Sequence, residues 1–350
     1  MRHTRRFSAL AAIAAILVAI PLATVTPANA APLSGSIGGL AALSADVAAT
    51  ARPGVAGAHE ALARYWTPER MKSALPDSEL PAVKGAKARP GGSPARPQGA
   101  AQKIGGATPV ATPEVIAQGG PGTQAYFPNY PVGHPVARTY GKVFFTASGL
   151  NYVCSGTIVN TEGKSTVWTA AHCNTSGQTW HYNWTFVPNY YNGVAPYGNW
   201  YAYQLWSTAA FFHDNNDLAN DVGAAIMYRD GGWRIADYFG AQGIAWNYPI
   251  GYFMNAFGYP QGLPFTGCCL VGEQNYTYDG AGFWAGTIYQ TNFMTGGSSG
   301  GAWLNWFDGN WGYINGHNDF KFTVLPQYMF SPYYGNQVAG LYGAVRNIST

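Results

Sequence analysis

Residues 291–303 read TNFMTGGSSGGAW, and the glycine-flanked pattern G-x-S-x-G fits them in two registers, centred on Ser298 or on Ser299. A serine between glycines suits nucleophilic chemistry, because small neighbours let backbone N–H groups converge on a developing oxyanion. Its hydroxyl is a weak nucleophile until a base takes the proton, so a histidine and a group that orients it are required elsewhere. Two stretches offer them. Thr169-Ala170-Ala171-His172-Cys173 sets an imidazole on a small-residue turn behind the apolar run TVWT, and HDNNDLANDVGAAIM offers Asp214, Asp217 and Asp221. Asp221 directly precedes the apolar run VGAAIM, which partly buries its carboxylate and lets it accept the imidazole proton. Asp214 and Asp217 fall in an Asn-rich turn that lacks the glycine and distal glutamate of an EF-hand, so no metal is expected there.

The elements that must position these groups are strands. Lys142–Thr146 (KVFFT), Gly156–Val159 (GTIV), Thr166–Thr169 (TVWT) and Val222–Met227 (VGAAIM) are short apolar or alternating runs punctuated by Gly, Asn or Pro. No long segment keeps a 3.6-residue period, so an all-β sandwich or barrel is expected. The four cysteines, Cys154, Cys173, Cys268 and Cys269, allow three disulfide pairings. A bridge between the adjacent Cys268 and Cys269 would close an eight-membered ring, and their pairing stays open.

The first 120 residues differ from the rest. Met1–Arg6 is basic, Phe7–Val25 is almost wholly apolar, and Ala28-Asn29-Ala30 is a small-x-small cleavage site, so residues 1–30 read as a signal peptide of an exported protein. Residues 31–120 read as a prosegment and a Pro/Gly-rich linker, in which Pro90–Pro97 (PGGSPARP) cannot form a packed core. Within it, Thr67 can cap a helix with Pro68 at its first position and Pro76 beyond its end. That helix fits a folding aid, an inhibitor or a plain surface helix. Residues 1–120 hold 12 Lys/Arg and 6 Asp/Glu, whereas residues 121–350 hold 7 and 10, so the overall +3 belongs to the leader. The body at 121–350 has no basic cluster, which argues against nucleic acid as a partner.

Cys154-Ser155-Gly156, TAAHC and GSSGG together resemble the chymotrypsin-like (trypsin-type) serine proteases, nearest their secreted bacterial branch that includes glutamyl endopeptidases. The resemblance covers residues 136–345. It implies two six-stranded antiparallel β-barrels with the active site between them, His172 as general base, and a Cys154–Cys173 bridge. The family serine stands in Gly-x-Ser-Gly-Gly, which only Ser299 satisfies. An α/β-hydrolase elbow would need its acid and histidine after the serine, where only Asp308, His317 and Asp319 stand. The order His172, Asp221, Ser299 is the chymotrypsin-like one. Backbone N–H groups of Gly297 and Ser299 are then expected to form the oxyanion hole, each donor worth about 3 kcal/mol or more.

Departures from the family bear on specificity. Ser298 replaces the common Asp before the nucleophile, so the trypsin activation switch is not expected. Phe293, at the base of the specificity pocket, removes the anchor for Lys or Arg. His317 matches the pocket histidine of glutamyl endopeptidases, but Met294 stands where those enzymes use a hydroxyl, so Phe293, Met294 and His317 are candidate substrate-binding residues for an acidic or a large apolar side chain. The expected protein is a secreted, extracellular, monomeric endopeptidase acting on protein or peptide substrates. It needs no cofactor and no metal, and has no membrane association once the signal is removed. The competing reading is a carbohydrate- or cell-wall-binding protein on an inactive protease scaffold, suggested by the many Trp and Tyr side chains.

Overall fold

A computed structural model describes residues 35–84, 93–111, 113, 130, 133–214 and 217–350. The expected signal peptide and, within the expected prosegment and linker, residues 31–34, 85–92, 112 and 114–120 lie outside the described residues. The architecture is all-β with short helices, as the runs and the resemblance imply.

Six antiparallel strands close a barrel: Tyr182–Pro188, Tyr140–Ala147, Leu150–Ile158, Thr166–Thr169, Gly223–Met227 and Trp200–Thr208, the last pairing back to the first through Trp200 and Phe186. The period-2 alternation of side chains decides what each face meets. Val143, Phe145 and Ala147 point inward with Trp184, Phe186 and Leu205. Phe144 points the other way, yet it too is fully buried. A second cover must therefore exist over the outside of this strand.

The leader supplies that cover. Val47, Ala61, Leu62, Trp66, Met71 and Ala74 pack against Phe144, Val153, Val187, Tyr190 and Tyr201. Ser36–Leu40 adds an antiparallel edge strand to Trp200–Thr208, and Leu75–Pro76 pairs in parallel with Tyr152–Val153. The Trp66 indole donates to the Asn183 carbonyl at 2.8 Å. The expected helix is present as Pro68–Ser73, its Thr67 hydroxyl accepting from the Arg70 N–H at 3.3 Å. The leader forms more structure than its Gly/Ala/Pro composition suggests, because Val47, Leu62, Trp66 and Met71 face one aromatic surface of the body and Leu80 enters the barrel core.

The C-terminal half is built from Val271–Tyr276, Phe253–Gly258, Ala302–Asn305, Tyr313–His317 and Gly243–Trp246, with leader strand Gln102–Ile104 at the edge. A three-stranded sheet, Tyr278–Asp279, Thr287–Thr291 and Tyr328–Pro332, accompanies it. Trp168, Val222, Ala224 and Ile226 of the first barrel pack against Phe257, Ala302, Leu304 and Ile314 of the second half. The helix Asn336–Val345 seals this junction with Val338, Leu341 and Val345.

Both disulfides are closed among the described residues. Cys154 pairs with Cys173 as the resemblance implies, and Cys268 pairs with its neighbour Cys269. The first crosslinks residues 19 apart in sequence. Loop-closure entropy for a ring of that size is worth about 3 kcal/mol. The Cys154→Ala/Cys173→Ala double variant should therefore unfold at a clearly lower denaturant concentration, and an unchanged midpoint would show that the bridge contributes nothing.

Candidate active site

The strand Thr166–Thr169 runs into a 3-10 turn at Ala171–Cys173, and the Cys154 bridge ties that turn to the neighbouring strand. His172 is thereby held inside the protein, 3% exposed. Asp221 closes a second 3-10 turn, Leu218–Asn220, just before the strand Gly223–Met227. Its two oxygens do separate jobs. One accepts from the His172 backbone N–H at 2.9 Å, and the other lies 2.8 Å from Nδ1 of the ring.

Ser298 and Ser299 are distinguished by what they face. The Ser298 hydroxyl is turned back onto the Thr295 carbonyl at 2.8 Å, where it stabilises its own turn. Ser299 points toward the histidine side of the cleft, and its turn is locked from below by Ser155. The Ser155 backbone N–H donates to the Ser299 carbonyl at 2.7 Å, and its hydroxyl donates to the Gly297 carbonyl at 2.9 Å. Gly297 and Gly300 both sit at positive φ, 95° and 80°. A side chain at Gly297 would also strike the Tyr259 carbonyl, and one at Gly300 would overlap Thr169.

No protein-family model and no curated protein sequence matches the chain. Among solved structures, it is similar to the protease Anisep from Arthrobacter nicotinovorans, at 35% identity and a TM-score of 0.57, over 61% of this chain and 97% of that one. It is also similar to the thermostable serine protease AL20 from an extremophilic microorganism, at 33% identity and the same TM-score, over 61% of this chain and all of that one. The chain belongs to the chymotrypsin-like serine proteases. It is a serine endopeptidase, and its substrates are proteins or peptides.

The protease cleft holds a group that the motifs did not reveal. Asp77 of the leader reaches into it, with one carboxylate oxygen 2.5 Å from the Ser299 hydroxyl and 3.1 Å from Nε2 of His172. Its other oxygen accepts from the backbone N–H of Gly297. The sequence signal for this was slight, an acid after proline in Leu75-Pro76-Asp77.

Asp319 is the second residue that motif reading left without a role. It is buried against the His172–Asp221 pair, with one carboxylate oxygen 3.4 Å from Nδ1 of His172. Ligand-type atoms of His172, Asp221 and Asp319 all fall within 4.8 Å of one another. Such a set could hold a cation, but Nδ1 and its proton are already engaged by Asp221. Burial and the Asp221 charge push the Asp319 carboxyl well above the usual carboxylate range, so it keeps its proton. Asp221 goes the opposite way: burial opposes its charge, but the adjacent imidazole outweighs burial and lowers its pKa. For His172, burial opposes protonation, and Asp221, Asp319 and Asp77 together overcome it, raising its pKa well above the ordinary value.

The candidate specificity residues are placed unequally. Phe293 is 59% exposed and borders a cleft of about 1100 Å³ that Phe253, Leu263 and Phe265 also line. Met294 is buried among Met254, Ala256 and Trp303. His317 is also buried, with Nδ1 2.8 Å from the Tyr334 hydroxyl, and burial pulls its pKa down to about 4.

The opposite charge states of Asp221 and Asp319 give different expectations for the same isosteric change. In the processed enzyme, Asp221→Asn should lower kcat about 10⁴-fold, because the wrong tautomer is fixed. Asp319→Asn replaces one neutral group with another and should keep kcat within about threefold, since a neutral side chain here adds no charge to the pair. Equal losses in the two variants would contradict this division.

Proposed function

We propose that the protein is a secreted endopeptidase that cleaves peptide bonds through an acyl-enzyme on Ser299. The observation that carries this reading is the hydrogen bond that Asp221 accepts from Nδ1 of His172, which leaves Nε2 on the Ser299 side of the cleft. In the processed enzyme, Nε2 takes the Ser299 proton as Oγ bonds to the scissile carbonyl carbon. The carbonyl electrons move onto oxygen, where the backbone N–H groups of Gly297 and Ser299 receive the charge. Collapse breaks the C–N bond, and Nε2 returns the proton to the leaving amine. Water then repeats the sequence, attacking the ester carbon while Nε2 takes its proton, and Oγ leaves as the serine hydroxyl.

Export rests on the apolar N-terminal segment and its cleavage site, and maturation rests on residues 31–120 being a removable leader. No described helix is long and apolar enough to cross a membrane. The exposed Phe293 beside an aromatic cleft favours large apolar side chains at the residue preceding the scissile bond. A buried, neutral His317 offers little to a glutamate.

A fluorophosphonate probe tests the reaction and a peptide library tests the preference. Processed wild-type protein should be labelled, and Ser299→Ala should not; label persisting in that variant would sink the proposal, as would no label on wild type. The library should show cleavage after Phe, Leu or Tyr, and dominant cleavage after Glu would reverse the specificity assignment.

A further inference from the structure

The position where an attacked carbonyl oxygen would develop charge is filled by a side chain of the same polypeptide. Three donors converge there on the Asp77 carboxylate: the Gly297 N–H, the Ser299 O–H and Nε2 of His172. Each of the three can donate and a carboxylate oxygen accepts, so the hydrogen-bonding character matches, although the Ser299 hydroxyl also lies 3.1 Å from the Asp319 carbonyl. Peptide hydrolysis itself ends in a carboxylate, so Asp77 resembles a product acid held at the reacting centre. Its carbon is a poor electrophile with no leaving group, so Ser299 faces an anion that cannot acylate it.

Delivery of this carboxylate is built into the leader on both sides of it. Leu75–Pro76 is fixed by the parallel pairing to Tyr152–Val153, and the Ala74 carbonyl accepts from the Gln261 amide. Three residues after Asp77, Leu80 is 1% exposed and packs with Val143 and Phe145 in the core of the first barrel. Asp77 itself starts a 3-10 turn, Asp77–Glu79, that brings Ser78 against Gly296. The acid is therefore clamped between two anchors and is 1% exposed. A buried charge without partners would be costly, and here every partner belongs to the proposed catalytic machinery.

We propose that the catalytic centre is a carboxylate receptor for its own leader. In the uncleaved chain Asp77 occupies the oxyanion position and ties up Ser299 and His172, which keeps the enzyme latent, and an acidic peptide carrying the same segment inhibits the processed enzyme in trans. The proposal rests on the endopeptidase reading above. Inhibition has two components. Asp77 takes the space of a substrate carbonyl, and it holds the Nε2 proton that a general base must be without.

The test uses the full chain and the fluorophosphonate probe, with labelling read on the full-length band. Wild-type full-length protein should label at least about 100-fold more slowly than the processed protein, and Asp77→Asn and Asp77→Ala should recover at least about tenfold of that loss. A wild-type precursor labelled as fast as the processed form overturns the proposal, as do folded Asp77 variants labelled as slowly as wild type. If those variants do not fold, the peptide of residues 67–80, TPERMKSALPDSEL, decides the matter on processed wild-type enzyme. Competitive inhibition that weakens at least about tenfold when the peptide carries Asp77→Asn supports the receptor, and equal inhibition by both peptides or by neither contradicts it. A processed protein that takes no label would instead contradict the endopeptidase reading, and the receptor with it.

Discussion

One buried imidazole among three carboxylates sets the terms for the rest of the site. His172 cannot be surrounded by Asp77, Asp221 and Asp319 in a dry interior unless protons are distributed among them, because like charges at this spacing repel strongly where water is excluded. Asp77 and Asp221 flank the ring at Nε2 and Nδ1, the acids around it raise the His172 pKa well above its ordinary value, and burial with the Asp221 charge raises that of Asp319 beside it. On the maturation proposed above, loss of the leader would take Asp77 away from Nε2, and the same histidine would shift toward the neutral form that a general base requires.

The geometry that makes this possible is distributed over the whole chain. The Cys154–Cys173 bridge and the Ser155 hydrogen bonds fix the histidine turn and the serine turn to one strand, Leu150–Ile158. The same strand is where the leader pairs, through Leu75 and Pro76. One element thus positions the base, the nucleophile's loop and the segment that covers them. The leader also buries the outer face of the first barrel, packing on Phe144, Val153 and Tyr201 as well as reaching the cleft.

Much of this was legible in the sequence, and the parts that were not share a cause. The strand runs, the TAAHC turn and the Thr67 cap depend on neighbours within a few residues, and local chemistry carries such signals, whereas the choice of Ser299 over Ser298 rested on the family resemblance and the chain order. Asp77 and Asp319 depend on contacts across 95 and 222 residues in the first case and on the return of a distant strand in the second. Nothing in the spacing of Leu75-Pro76-Asp77 points to Gly297. The order of the leader escaped for a related reason: Gly/Ala/Pro composition argued against a core, whereas its few large apolar residues share one that the body supplies. His317, expected from its type to contact substrate, is buried with Nδ1 against the Tyr334 hydroxyl, a placement set by the return of the last strands.

The central claim is that Asp77 and Asp221 hold His172 as an imidazolium until the leader is lost. Nitrogen NMR of the full chain with labelled histidine, the His172 signals assigned by their loss in His172→Gln, measures this directly. The account predicts that both ring nitrogens carry protons at neutral pH in the uncleaved wild type, and that Asp77→Asn lowers the pH at which Nε2 loses its proton. A neutral His172 with a bare Nε2 in the uncleaved protein would contradict it.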